Sequence, residues 1–350
     1  MRTRVERLDR LDGLRGLAAC GVAFLYHPQS LFTASALAGQ PRVLTWFQDW
    51  GWTLVDLFFL ISGYIFAHVY LQNGGLQRER LGSFAAARVA RLYPLHLLTL
   101  CFCAVVFFAD PANTGFAFLA HLLMLQAFVQ PVAHTFDGPS WSISVEVVCY
   151  VLFALAASRG GRTLRWVTAV AILGALLHFA VQGRPGGPWV GDGVPRGLLG
   201  FFLGQLLWHL RERLAMTSSL LLICIFAFGL MLDMGKMSSL LPLCLYAWPA
   251  LLLLALRTPW LGSAPLRWLG DRSYTIYLVH WPLLMLAQGW RAPLDGGLAT
   301  VLLVSALFAM VVLAVSDVCY RFFEAPARRA IRAAWRRHEK AVRARAVHPA

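Results

Sequence analysis

The chain is predicted to be an all-α polytopic membrane protein, a helical bundle that crosses the bilayer about ten times with both termini in the cytoplasm. Three observations lead there. Hydrophobic residues make up 59% of the 350 residues and charged residues 14%, where a soluble domain carries about a quarter charged. The apolar residues gather into runs of about 20, the length that crosses a hydrocarbon core. The charges sit between those runs, and alternate clusters are rich in Arg, as the positive-inside rule requires.

The runs fall near 14–31, 52–71, 92–109, 140–157, 164–181, 196–210, 218–234, 240–256, 273–290 and 298–320. The segment before the first carries Arg2, Arg4, Arg7 and Arg10 and leads into apolar sequence with no small-residue cleavage site. It reads as a cytoplasmic N-terminus, not a removable signal. With ten spans, the later cytoplasmic segments hold Arg78, Arg80, Arg88 and Arg91, then Arg159 and Arg162, then Arg211 and Arg213, then Arg257, Arg267 and Arg272. The external loops keep Arg42, Arg184, Lys236 and Arg291, with Arg196 near a boundary. An eleventh apolar run, near 116–130, contains His121 and Gln126. If it crossed, Arg159 and Arg162 would lie outside and the later clusters would invert. Residues 116–139 are therefore expected to be re-entrant or interfacial on the outer side, where irregular backbone is allowed only against protein or a water-filled cavity.

The membrane domain is expected to occupy 1–326 and a basic tail 327–350. Arg328 to Arg345, with Trp335, is either an amphipathic helix on anionic headgroups or a partly disordered tail. The formal charge of +14 is assigned to this topology, since no nucleic-acid-binding motif accompanies it. The seven cysteines all lie in apolar runs without a CxxC pair, so they read as packing residues; neither a disulfide framework nor a metal site is expected. No internal repeat marks the chain as a secondary transporter.

Ionisable groups at membrane depth are costly and mark function or pairing. Those within the spans are His27, Asp56, His68, Glu146, His178, His280 and Asp317. At 1.5 Å per residue, His27 lies roughly 18 Å above Arg15 and Glu146 roughly 9 Å below the outer face. The two share a layer, and Asp56 lies close to it. A buried carboxylate beside an imidazole raises its basicity and fixes its tautomer, as a general base needs. Glu146 is the first candidate for that partner. Asp56 either replaces it or binds substrate. His280 is expected about 10 Å above the inner face, between the inner arginines and the His27 layer. Arg88 and Arg91, three residues apart, share a helix face, and paired guanidiniums suit a phosphate or pyrophosphate.

The run Leu11-Asp12-Gly13-Leu14-Arg15-Gly16-Leu17-Ala18-Ala19, ending in Tyr26-His27, resembles the opening of acyltransferase family 3. Val55-Asp56-Leu57-Phe58-Phe59-Leu60-Ile61-Ser62-Gly63-Tyr64, Arg88-Val89-Ala90-Arg91-Leu92-Tyr93-Pro94 and Ser140-Trp141-Ser142-Ile143-Ser144-Val145-Glu146 are similar to later motifs of that family. So are Ser273 to Pro282, which includes His280, and Phe323-Glu324-Ala325-Pro326. The resemblance spans residues 9–328. It implies an integral, multi-pass protein of the bacterial inner membrane that acylates hydroxyl groups, commonly acetylating lipopolysaccharide, exopolysaccharide, peptidoglycan-type sugars or small glycosides. Acyl-coenzyme A, acetyl in first place, is the implied donor, and a saccharide or glycolipid the acceptor.

The family's first-span Arg and His carry over to Arg15 and His27, its paired arginines to Arg88 and Arg91, and its acidic residue to Glu146. On that basis Arg88 and Arg91, with Arg15 and with His280 above them, are expected to hold the donor's phosphates. His27 acts with Glu146 or Asp56, either as a base on the acceptor hydroxyl or as an acyl carrier. Eleven residues separate Arg15 from His27, one more than the family's usual ten. A regular helix would then turn His27 by about 100°, and a bulge at Gly21 would restore it. The alternative function is a transporter or flippase of a sugar or lipid-linked sugar, with the same His, Glu and Asp as a proton relay.

Overall fold

The computed structural model describes residues 7–72, 75–182, 190–232, 240–290 and 292–347, with side chains to residue 342. Arg2, Arg4, Arg184, Lys236 and Arg291, and the side chain of Arg345, lie outside the described residues. Regular structure among the described residues is helical, apart from an isolated bridge between Phe32 and Leu294.

In chain order the main helices are α1 (Asp9–Cys20), α2 (Arg42–Trp50), α3 (Leu54–Leu71), α4 (Leu81–Val106), α5 (Gly115–Leu122), α6 (Trp141–Ala157) and α7 (Gly161–Gln182). They continue with α8 (Gly193–His209), α9 (Ser219–Met231), α10 (Trp248–Arg257), α11 (Ala264–Trp290), α12 (Leu298–Cys319) and α13 (Ala325–Val347). Among the described residues, 6 helical runs are long and apolar enough to cross a membrane, where about ten spans were expected. The other expected spans fall on α1, α8, α9 and α11. The first three are short, and α11 carries Arg267, Asp271 and Arg272 toward its start.

Two close crossings build the centre. α1 lies on α11: a Cβ at Gly16 would stand 2.7 Å from the Gly270 amide nitrogen, and one at Gly270 would stand 2.3 Å from the Asp12 carbonyl. α3 lies on α8 in the same manner. A Cβ at Gly63 would fall 1.8 Å from the Phe201 carbonyl, and one at Gly204 would fall 2.0 Å from that of Leu60. Between apolar helices in lipid there is little hydrophobic drive to associate, so van der Waals contact between backbones carries the interface and glycine permits it.

α1 does not continue as a regular helix to His27. At Gly21 it becomes a π-helical stretch, Gly21–Tyr26, followed by a 3₁₀ turn, His27–Leu31, that contains Pro28. A π turn takes up a surplus residue relative to an α turn. The additional residue between Arg15 and His27 is accommodated in this way, at the glycine where a bulge was expected.

Residues 115–140 turn back rather than cross. α5 has 8 residues, too few to span. Its end is held at Tyr93, whose hydroxyl donates to the Leu122 carbonyl at 3.2 Å. Tyr93 is twelve residues into α4, or roughly 18 Å. Left-handed backbone at Met124 and Phe136 and three short 3₁₀ turns return the chain to α6. Buried His121 accepts from Ser140 at 3.3 Å, and Gln126 donates to the Ser140 carbonyl at 2.9 Å, so several of the segment's polar groups bond to protein.

The tail is helical. After α12 a π turn, Tyr320–Glu324, leads into α13, which packs along α4. The Trp335 indole lies against Gly82 and donates to Ser83 at 3.3 Å, and Ser83 donates to Glu339.

Candidate active site

Two cavities lie end to end in the bundle. The first, of about 140 Å³, is lined by Arg15, Arg88 and Arg91 together with Ser62, Glu146, Tyr150 and Tyr274. The three expected arginines thus meet in one chamber, each held differently. Arg15 donates to Ser273 at 3.0 Å and pairs with Asp12 at 3.0 Å. Arg91 pairs with Glu324, which also accepts from Thr275, and lies over the Tyr274 ring at 5.2 Å. Arg88 has no carboxylate among the described residues. Its guanidinium sits over Phe66 at 4.8 Å and Tyr150 at 5.6 Å. Aromatic faces stabilise the cation without neutralising it.

The second cavity, of about 230 Å³, is lined by Tyr26, His27, Trp52, His134, Trp141, Arg196 and Trp281. Val55 and Tyr277 line both chambers. The arginine chamber and the His27 chamber therefore adjoin at these two side chains. Tyr277 is fixed there by donating to the Pro139 carbonyl at 3.1 Å while accepting from Ser142 at 3.0 Å.

His27 has a partner that depth alone did not reveal. Its Nδ1 is 2.8 Å from Nε2 of His280, and the rings lie nearly parallel, 4.9 Å apart. His280 is fully buried, and its Nδ1 is 3.1 Å from the Ile276 carbonyl one turn back. A carbonyl only accepts, so His280 carries its proton on Nδ1 and presents a bare Nε2. His27 must then donate from Nδ1, which leaves its own Nε2 as the basic atom. Trp281, in edge contact at 5.0 Å, holds the ring.

The carboxylates expected beside His27 are elsewhere. Both oxygens of Asp56 accept from Arg196, at 3.0 and 2.9 Å, in a fully buried bidentate pair. That guanidinium also covers Trp52 at 4.6 Å. Glu146 lies in the arginine chamber, where it accepts from Ser62 at 2.9 Å and from Tyr150. His280 sits in the His27 layer, not below it. Its helix begins at Ala264, nine residues before the span read from hydropathy, so His280 is sixteen residues along α11, or roughly 24 Å.

Arg196 and His134 line the histidine chamber without having been singled out. Arg196 looked like a boundary charge, and nothing local marks its pairing with Asp56. His134 is in the turned-back segment, where burial holds its pKa below the ordinary imidazole value. Asp137, three residues on, is 1% exposed. Neither of its oxygens has a hydrogen-bond partner, and burial pushes its carboxyl up to about 8.

Comparison with known proteins places the chain in one family. The family 3 model described as an acyltransferase domain matches residues 8–321. The chain is 28% identical over 361 residues to "Acyltransferase MdmB" of Streptomyces mycarofaciens, covering 88% of this chain and 90% of that one. It is 27% identical over 341 residues to "Putative membrane-bound transacylase BcsY" of Komagataeibacter xylinus, covering 86% and 81%. It is 29% identical over 198 residues to "Protein 2 in picA locus" of Rhizobium radiobacter, covering 49% and 93%. No solved structure matches it.

Proposed function

The chain belongs to acyltransferase family 3 and is an integral membrane acyltransferase; we propose that it moves an acetyl group from cytoplasmic acetyl-coenzyme A to a hydroxyl of a cell-surface or lipid-linked saccharide. One observation carries this reading: a histidine with a defined basic nitrogen lines a chamber that adjoins, at Val55 and Tyr277, a chamber lined by three arginines. Positive charge at one end suits a phosphorylated carrier. A neutral imidazole at the other suits proton removal from a hydroxyl.

In this scheme Arg15, Arg88 and Arg91 hold the donor, and its thioester advances past Val55 and Tyr277, whose ring must move. His27 Nε2 takes the acceptor's hydroxyl proton as the oxygen attacks the thioester carbon. The tetrahedral intermediate then collapses, the carbon–sulfur bond breaks, and the proton passes from His27 to the leaving thiolate. Arg196, paired with Asp56 beside the same cavity, and the ring of Tyr277 shape the acceptor's seat. The arginine clusters orient the bundle with the arginine chamber toward the cytoplasm and both termini inside, in about ten crossings of the bacterial inner membrane.

The transporter reading loses its proposed relay, because Asp56 and Glu146 bond to Arg196 and to Ser62 and Tyr150 instead of to His27. The direct experiment supplies purified protein in lipid nanodiscs with radiolabelled acetyl-coenzyme A and a saccharide acceptor. Labelled acceptor from the wild type, and none from a correctly inserted His27→Ala variant, is the expected result. Wild-type transfer by His27→Ala would discard the scheme, and acceptor movement without thioester consumption would return the transporter.

A further inference from the structure

α13 points one face at α4, and its register can be followed residue by residue. Glu324, immediately before α13, meets Arg91 on α4. Trp335 and Glu339 meet Ser83 on the same helix. At 100° per residue, positions 324, 328, 332, 335 and 339 fall within about 40° of a common direction. Arg328 and Arg332 therefore face α4 between those two contacts, alongside Arg88. The helices run antiparallel, so the order of contacts is consistent. Arg332 is exposed at the rim of that face, and partial desolvation with the nearby charges of Arg328, Arg88 and Arg91 makes it less basic. Among the described residues, none of Arg88, Arg328 and Arg332 is paired with a carboxylate. Three uncompensated guanidiniums converging beside a chamber are unfavourable unless an anion joins them.

The geometry points to α13 as the second wall of the donor site: Arg328 and Arg332, with Arg88, form a cradle for the phosphates of the carrier nucleotide. This rests on the donor reading above. The alternative anion, a lipid headgroup phosphate, fits less well. The face concerned is turned toward α4, and Arg88 belongs equally to the internal chamber. Charges on the opposite face, Arg337 and Lys340, are free to meet headgroups.

The test titrates coenzyme A into the full-length protein in neutral detergent by calorimetry. R328Q/R332Q should weaken binding on the order of 10- to 100-fold, from the loss of charge-assisted hydrogen bonds. R337Q/K340Q removes the same charge from the far face and should bind like wild type. R328K/R332K preserves the charge and guards against a folding defect; it should retain most of the affinity. Equal affinity in R328Q/R332Q and wild type would overturn the cradle while leaving the donor reading intact. Equal weakening in both neutral pairs would reduce it to a non-specific charge effect. A wild type that does not bind coenzyme A removes the donor reading and the cradle together. If R328Q/R332Q changes only the affinity for phosphatidylglycerol nanodiscs, the two arginines belong to the membrane surface instead.

Discussion

The paired imidazoles of His27 and His280 differ in what each can accept. His280 is fixed by a backbone carbonyl and can receive a hydrogen bond only at Nε2, so it holds the ring of His27 and sets its tautomer. His280→Phe keeps a ring but loses the acceptor, and should cut kcat on the order of a hundredfold while donor affinity is unchanged. His280→Gln places an amide oxygen where Nε2 was and should recover part of the rate. Equal loss in both variants would make His280 a packing residue. Asp137 offers a stability measurement outside the spans. An unfolded Asp ionises near about 4, whereas here the carboxyl does so at about 8. Between those values the folded form holds the additional proton, so stability falls as pH rises through the window and levels above it. Asp137→Asn should therefore gain in melting temperature over wild type as pH increases from 5 to 8; a difference independent of pH would refute the burial.

At the scale of single elements, the π turn and the glycine crossings make separate predictions. Deleting Ala23 removes one residue from the π stretch, which should revert to α geometry with His27 still facing His280; transfer is expected to survive within about tenfold. Complete loss would show that the turn itself is required. Gly204→Leu drives a side chain into the Leu60 carbonyl and should leave little folded protein on size-exclusion chromatography. These elements also show what could be read beforehand. Charge alternation exposed the turned-back segment, because the cost of inverting several arginine clusters exceeds that of one irregular stretch. Counting residues located the bulge. Depth along a helix is one coordinate, and it placed His27, Asp56 and Glu146 in similar layers. Which neighbour each side chain meets depends on tertiary packing, and there the three part: His27 meets His280, Asp56 meets Arg196, and Glu146 meets Ser62 and Tyr150. Asp56 and Arg196 are 140 residues apart and His27 and His280 are 253 apart, so no local pattern connects them.

For the molecule as a whole, the central feature is the contact between the two chambers at Val55 and Tyr277. Val55→Trp should crowd the contact between the chambers and stop transfer; transfer at the wild-type rate would mean that the acyl group takes another route. Fusion of a fluorescent protein that matures only in the cytoplasm to the C-terminus tests the orientation, and a dark fusion would invert it. In that orientation the contact between the chambers has an electrical consequence. If water fills both, most of the membrane voltage falls across the thickness of Val55 and Tyr277, and each elementary charge moved through it exchanges about 2.3 kcal/mol per 100 mV. That pair would then be the insulation that keeps protons from running down their gradient, and cells carrying V55G/Y277A should leak current whether or not the protein still transfers acyl groups.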